Sequence, residues 1–423
     1  MQRYESYQPS GVKWLGDVPA HWEVRPGFTC FKENKDRNKG LVESAVLSLS
    51  YGRIVIKPEE KLTGLVPESF ESYQLIKPGD IVIRTTDLQN DQTSLRVGYA
   101  KNKGMITSAY LGLRCHPEIN PEYVFRLLES YDALKVFYGM GSGLRQNIDF
   151  WDFKRLPVPL PPRDEQDRIV AFLDQKTAEI DAAIAKKERL IELLEEQVAI
   201  LISNAVTKGL NAYDPRRDSG VAWIGHIPSH WYVKRAKFLF REIDERSANG
   251  EEELLSVSHM TGVTPRSEKT NVYMFMAEDY SGSKLCRPND LVFNIMWAWM
   301  GALGVSDRVG IVSPSYGVYR QLKAGTFNNW YLEHLLRSTL YVAEYNKRST
   351  GLHSSRLRLY SHMFFDMELG FPPREEQDEI ERETKKQVSQ ANAVITSVRS
   401  EIEKLAELRS SLVASVVTGK MRV

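Results

Sequence analysis

The sequence predicts an α+β fold built twice. Two similar globular heads are each followed by a long helix, and the two helices pack as an antiparallel coiled coil in a pseudo-two-fold tandem repeat. Three observations carry this prediction. SGVKWLGDVPAHW at Ser10–Trp22 returns as SGVAWIGHIPSHW at Ser219–Trp231. PPRDEQDRI, from Pro161, returns as PPREEQDEI, from Pro372. A heptad-spaced apolar seam follows each Pro-Pro-Arg. A period near 210 residues is therefore the organising feature. It sets expected boundaries: a first head at 1–162, a helix at 163–209, a second head at 210–372 and a helix at 373–423.

The totals agree with more than one domain. The chain has 423 residues, 42% hydrophobic and 26% charged, which is a globular composition. No apolar run is long enough to span a bilayer, and the N-terminal residues lack the apolar core of a secretory signal. Cys30, Cys115 and Cys286 lie far apart, which fits a reducing cytoplasm and argues against disulfides or a zinc finger. The net charge is +1, so a nucleic-acid surface would be local rather than chain-wide.

Within each head, apolar β-type runs follow turn residues. PGDIVI at Pro78 echoes PNDLVF at Pro288, and SAYLGLR ending at Arg114 echoes PSYGVYR ending at Arg320. GSGLRQ from Gly141 echoes RSTGLHSSR around Gly351. PEYVFRLLESYDALKVFY and NNWYLEHLLRSTLYVAEYN have helical spacing and turn-like starts. The acidic first turns after each Pro-Pro-Arg complement the helix N-terminal partial charge.

The first long helix is expected over about 164–206, with its seam at Val170, Leu173, Thr177, Ile180, Ile184, Lys187, Ile191, Leu194, Val198, Leu201 and Ala205. The second is expected over about 374–417, with Val388, Ala391, Ile395, Val398, Ile402, Leu405, Leu412 and Val416. Lys187 and Arg409 interrupt the seam, either to fix register or to snorkel out. Each helix would be about 65 Å long. For the second to bury its seam on the first it must run backwards, which holds two heads apart as a dumbbell and brings the chain ends together.

Two related heads on a fixed rod suit two half-sites on DNA. Unlike loops after matched strands, RTTDLQNDQTSLRVG and NIMWAWMGALGVSDRVG, suit unlike half-sites. GVKWLGDVPAHWEV, GDIVIRTTDLQ, SGLRQNIDFWDFKRLPVPLPPRDEQDRI and the SSRLRLY and FPPREEQDEI segments resemble the specificity (S) subunits of type I restriction–modification systems. The resemblance runs from about residue 7 to the end. It implies two target-recognition domains that read a split double-stranded DNA site, and helices that set the spacing and dock two methyltransferase (M) subunits. It further implies restriction (R) subunits, with S-adenosylmethionine, ATP and magnesium used on those partners and no cofactor on this chain. A coiled-coil scaffold whose heads bind proteins, with no DNA contact, is the alternative that the residues leave open.

Base readout needs Arg, Asn or Gln at base edges, and phosphate contact needs basic, hydroxyl and backbone N–H groups. In the first head the candidates are Arg84, Thr86, Gln89, Asn90 and Arg96, then Ser142, Arg145, Gln146 and Asn147. In the second they are Asn294 and Trp297, then Ser349, His353, Ser354, Ser355, Arg356 and Arg358. At least one of Trp297 and Trp299 is expected in the core. Trp14, Pro19, His21 and Trp22, with Trp223, Pro228, His230 and Trp231, are expected to form an aromatic clamp where the chain enters each head. No catalytic residue and no metal site is expected. The glycines of YGMGSG at Tyr138 follow a helix-like segment rather than a strand. There is no P-loop and no Asn/Asp-Pro-Pro-aromatic tetrad of the kind an amino-methyltransferase needs.

Overall fold

The computed structural model describes residues 2–58, 60, 69–91, 95–140, 147–268, 279–351 and 357–423. It divides into two compact units. Unit 1 comprises residues 1–188 and 399–423, and unit 2 comprises residues 189–398. Each unit is thus one head together with half of each long helix, a different cut from the linear one drawn from the repeat.

The centre of unit 1 is a four-stranded antiparallel sheet of β1 (Phe31–Glu33), β2 (Ile81–Ile83), β3 (Val97–Tyr99) and β4 (Leu111–Cys115), in the order β1-β4-β2-β3. Unit 2 repeats it with β5 (Phe240–Glu242), β6 (Leu291–Phe293), β7 (Leu303–Val305) and β8 (Gly317–Gln321), in the order β5-β8-β6-β7. The echoed phrases supply equivalent strands, β2 with β6 and β4 with β8. The polar ends of those phrases also meet. Arg114 clasps Asp80 through two hydrogen bonds of 2.8 Å, and Arg320 clasps Asp290 at 2.7 and 2.8 Å. Both aspartates are buried. In each head the guanidinium fork supplies the hydrogen bonds that burial takes from the carboxylate.

The segment before each Pro-Pro-Arg is a strand. Pro157–Leu160 pairs with Glu23–Pro26, and Glu368–Phe371 pairs with Tyr232–Arg235. A strand holding Pro157 and Pro159 lacks two ladder donors, so it sits in a two-stranded ribbon rather than in the central sheet.

Helix α1 (Pro121–Ala133) opens behind the N-cap Asn120, whose side chain accepts from the backbone of Glu122 and Tyr123. In unit 2 the matching segment is two helices, α3 (Asn329–Leu336) and α4 (Thr339–Arg348), where the periodicity suggested one. Ser338 takes an extended conformation between them, and the break turns Tyr341 and Tyr345 into the core. The first head's helix ends differently, with Lys135, two residues past its end, in the left-handed conformation at a φ of 61°.

The long helices are continuous over Arg163–Lys208 (α2) and Arg374–Val417 (α5). In unit 1 they run antiparallel. Lys187 pairs with Glu401, and Arg409 pairs with Asp181 at 3.1 Å, so partner numbers fall along α5 as they rise along α2. The two seam-breaking cations are therefore ion-paired across the helices, and Arg409 also approaches Glu129 of the head at 3.7 Å. Leu173 and Leu412 are buried in one core with the head, while Ile180, Ile184, Ile402 and Leu405 are half-buried. In unit 2, Ile395 and Val398 are buried, Ile191, Leu194 and Leu201 are half-buried, and Ala205, Val206 and Ile380 join the head's core.

Candidate nucleic-acid interface

Each head is bolted to the long helices by the repeated phrases. The His21 ring lies 2.8 Å from a Glu165 carboxylate oxygen, and the Tyr4 phenol donates to the other oxygen at 2.7 Å. In unit 2, His230 lies 2.6 Å from Glu376, which also accepts from the Trp231 indole at 3.0 Å. Trp22 and Trp231 are buried, while Trp14 and Trp223 stand edge-on to Tyr131 and Tyr341. The adjacent glutamine completes the bracket. Gln166 accepts from the Asn120 backbone and Gln377 from the Asn328 backbone, both at 2.9 Å. The EQD of each Pro-Pro-Arg phrase thus does more than complement a helix end. It fixes the head helix to the long helix.

On this frame, the loop leaving β2 carries the first set of candidates. Arg84 donates its backbone N–H to the Arg96 carbonyl and pairs through its side chain with Asp91 at 3.0 Å. Leu88 is buried and anchors the loop, leaving Gln89 and Asn90 exposed. The Asn90 amide donates to Asp87 at 2.8 Å. The second candidate segment meets this loop directly. Ile148 N–H donates to the Thr85 carbonyl at 3.0 Å, and the Asn147 side chain accepts from Asp87 N–H at 3.1 Å. Arg84, Thr86, Gln89, Asn90 and Asn147 are therefore gathered in one place. Ser142, Arg145 and Gln146 lie outside the described residues.

Arg96 corrects an expectation. Its side chain is fully buried and its guanidinium bonds backbone carbonyls, so it does not face a base or a phosphate.

The second head assembles the same place differently. Leu359 N–H donates to the Ile295 carbonyl at 3.0 Å, as Ile148 does to Thr85. Arg358, at the position of Asn147, is exposed and its backbone pairs with Thr350. Trp297 is half exposed and stacks on Trp299, with ring centroids 6.3 Å apart and planes 15° from parallel. Neither tryptophan is core, contrary to expectation, because the β6–β7 loop turns them outward onto each other. Asn294 and Ser349 are also corrected. Asn294 is buried and donates its amide to the Tyr316 hydroxyl at 2.9 Å, and Ser349 is buried at the end of α4. His353, Ser354, Ser355 and Arg356 lie outside the described residues.

One exposed aromatic that follows the second segment in the chain carried no assignment from sequence. Trp151, on the short helix Phe150–Phe153, is 65% exposed, with the Lys154 ammonium 3.7 Å from its ring centre. His362, its counterpart, stacks on Tyr360. The signal was the Asp149–Asp152 capping box around Phe150 and Trp151, of which Phe150 packs on the core and Trp151 is left exposed.

The surface so formed offers amides, aromatics and a few cations, which suits hydrogen bonding and stacking rather than bond-making. Burial pushes the Cys115 and Cys286 thiols up, to about 12 and about 11, so neither is a thiolate near neutral pH. Among the described residues, no group of three or more His, Cys, Asp or Glu side chains is placed to hold a metal ion. No described helix is long and apolar enough to cross a membrane.

A family model for the type I restriction modification DNA specificity domain matches residues 23–193. Two curated relatives come from Methanocaldococcus jannaschii. The putative type I restriction enzyme MjaX specificity subunit is 26% identical over 234 residues, 52% of each chain. The type I restriction enzyme MjaVIII specificity subunit is 22% identical over 338 residues, 76% of this chain and 75% of that one. The match thus spans about half the length of the first relative. Among solved structures, one described as the structural basis of complex assembly and conformational transition of the type I R-M system has a TM-score of 0.61 at 15% identity. It is covered over 99% of its length by 96% of this chain. The HsdS subunit from Thermoanaerobacter tengcongensis has a TM-score of 0.50 at 14% identity, with 96% of this chain and 98% of that one covered. These two likenesses bear on the fold.

Proposed function

We propose, for a chain that belongs to the family of type I restriction–modification specificity subunits, that it is the non-catalytic DNA-reading subunit of such a complex. The observation that carries this is a common frame with unlike reading surfaces. Both heads present the loop after the second central strand beside the segment that leads to the strand before Pro-Pro-Arg. One offers Gln89, Asn90 and Asn147, and the other offers Trp297 and Arg358. Amide and guanidinium groups match base edges, and two unlike sets match an asymmetric, bipartite target. Arg84, Thr86 and Trp151 are assigned to the same surface.

The chemistry belongs to partners. Two methyltransferase subunits would methylate adenine with S-adenosylmethionine, and restriction subunits would cleave with ATP and magnesium, in the cytoplasm. Exposed apolar residues on the long helices, Leu193, Ile200, Val394 and Leu408, support docking of partner helices there. A net charge of +1 fits a subunit that discriminates while its partners supply much of the phosphate attraction.

The test is to map methylated adenines in host DNA, then exchange residues 84–91 or 294–301 for those of another family member. Each exchange should change one half of a split target and leave the other intact. An unchanged target, or a protection footprint that is identical without this chain, refutes DNA reading.

A further inference from the structure

Resting on the DNA-reading function above, we propose that Arg96 is the positioning residue of the first head's reading loop. Its buried guanidinium sets the conformation of residues 84–91, and through it the base preference of one half of the target.

The guanidinium gathers four loop carbonyls. One terminal nitrogen donates to Arg84 at 3.3 Å and Thr86 at 2.8 Å, and the other donates to Asp87 at 3.2 Å and Asp91 at 2.5 Å. Nε donates to the Tyr138 hydroxyl at 3.2 Å, and that hydroxyl donates to the Asp91 carbonyl at 3.1 Å. The residue's own backbone N–H is held by a carboxylate oxygen of Asp132 at 2.6 Å. Arg96 is therefore fixed at its backbone and at its tip, and the loop wraps around it.

Four carbonyls that converge on one point repel one another unless a multivalent donor sits among them. A planar fork with five N–H groups does this, whereas a lysine ammonium, with three donors on one atom, does not span the set. The same grip holds Asp87 at a φ of 62°, an uncommon conformation for a residue other than glycine. It turns the chain so that Gln89 and Asn90 face outward.

Among the described residues, the second head has no such device. Asn294 N–H donates to the Ala302 carbonyl where Arg84 N–H donates to that of Arg96, so the matched residue is an alanine. That loop is held by the Trp299 indole on the Met296 carbonyl and by Asn294 on Tyr316. Loss of Arg96 should therefore be felt in one half of the target only.

The experiment uses the full chain assembled with its methyltransferase partners, as wild type, Arg96→Lys and Arg96→Met. Methylation is read over a DNA pool randomised in both half-sites, alongside the melting temperature. In both variants, preference in one half-site should fall about tenfold or more at one or more base pairs, with the other half-site unchanged. The unaffected half-site reports folding within the same molecules. Preference retained in both halves overturns the proposal, as does an equal loss in both halves, which would mark Arg96 as a general stabiliser. A wild-type complex with no base preference overturns the DNA-reading function, and this proposal with it.

Discussion

Tyr331 donates its phenolic proton to the carbonyl oxygen of Val206, 2.8 Å away and 125 residues earlier in the chain. Tyr123 does the same for Val417 at 3.1 Å. Both valines lie in the last turn of a long helix, where carbonyls lack an intrahelical partner. Each head thus caps the long helix whose end it packs against. Both tyrosines are fully buried, and burial drives their phenols well above the usual range, so they remain donors at any working pH.

Tyr331→Phe should cost about 1–3 kcal/mol, because a buried carbonyl loses its donor while the ring's packing survives. Tyr123→Phe should cost about as much, since its single phenolic proton is shared between the carbonyls of Pro159 at 2.6 Å and Val417 at 3.1 Å. Urea unfolding of the two variants checks both values. Unchanged midpoints would mean that the heads do not cap the helices.

Glu165 gives the bracket a pH signature. Burial works against its charge, but hydrogen bonds from Tyr4 and His21 outweigh that penalty and hold the carboxyl below its usual range. The unfolded chain therefore takes up this proton more readily than the folded one. The stabilisation is complete above the unfolded value of about 4.3 and is lost as pH falls through the lower folded value. Glu165→Gln should flatten the fall in stability below about pH 4.3. Stability measured at a series of acidic pH values checks this, and parallel curves for the two proteins would refute it.

Two glycines at matched places should respond unequally to alanine. Gly419 has a φ of 74°, and a Cβ there would lie 2.3 Å from Pro19 Cδ, on a ring tied to the backbone. Gly209 has a φ of 80°, but its nearest neighbour would be 3.5 Å away, an ordinary contact. Gly209→Ala should cost only the left-handed backbone penalty of about 1–2 kcal/mol. Gly419→Ala should exceed it and loosen the C-terminal residues from the Ser10–Trp22 segment, where Lys420 bonds the carbonyls of Leu15 and Asp17. Thermal unfolding of the pair, with proteolysis of the C-terminus, distinguishes the two.

The long helices and the duplication were legible in the sequence because each repeats over many residues. Heptad spacing accumulates over five turns or more, and a returning phrase needs no physics to be seen. The central strands showed only as echoes, since strands of three to five residues carry too little alternation to be read alone. What joined the echoes was hidden. Asp80 and Arg114 lie 34 residues apart, and antiparallel pairing of β2 with β4 is what brings them together. Arg96 was misassigned for a related reason. An arginine in a polar loop looks like a solvent-facing cation, and only the folded loop shows four carbonyls turned toward it. Asn294 reads as a loop amide as well, yet its backbone extends the ladder of β6 and its side chain is drawn inward to Tyr316.

Gln89 and Asn294 therefore make a discriminating pair. Gln89 stands exposed on the first reading loop, while Asn294 is buried beneath the second. Gln89→Ala should leave the melting temperature nearly unchanged, since exposed substitutions usually stay within about 0.5 kcal/mol. It should cost roughly 1–3 kcal/mol of discrimination at one base pair of the target. Asn294→Ala should do the reverse to the fold. It orphans the Tyr316 hydroxyl and the Met296 N–H, lowering stability by about 1–3 kcal/mol. Its effect on DNA preference should be spread over the whole second half-site, because the loop bearing Trp297 loses its footing rather than one contact. Melting curves and base-preference profiles of the assembled complexes check both outcomes. A Gln89→Ala complex with wild-type preference at every position would remove Gln89 from the reading surface.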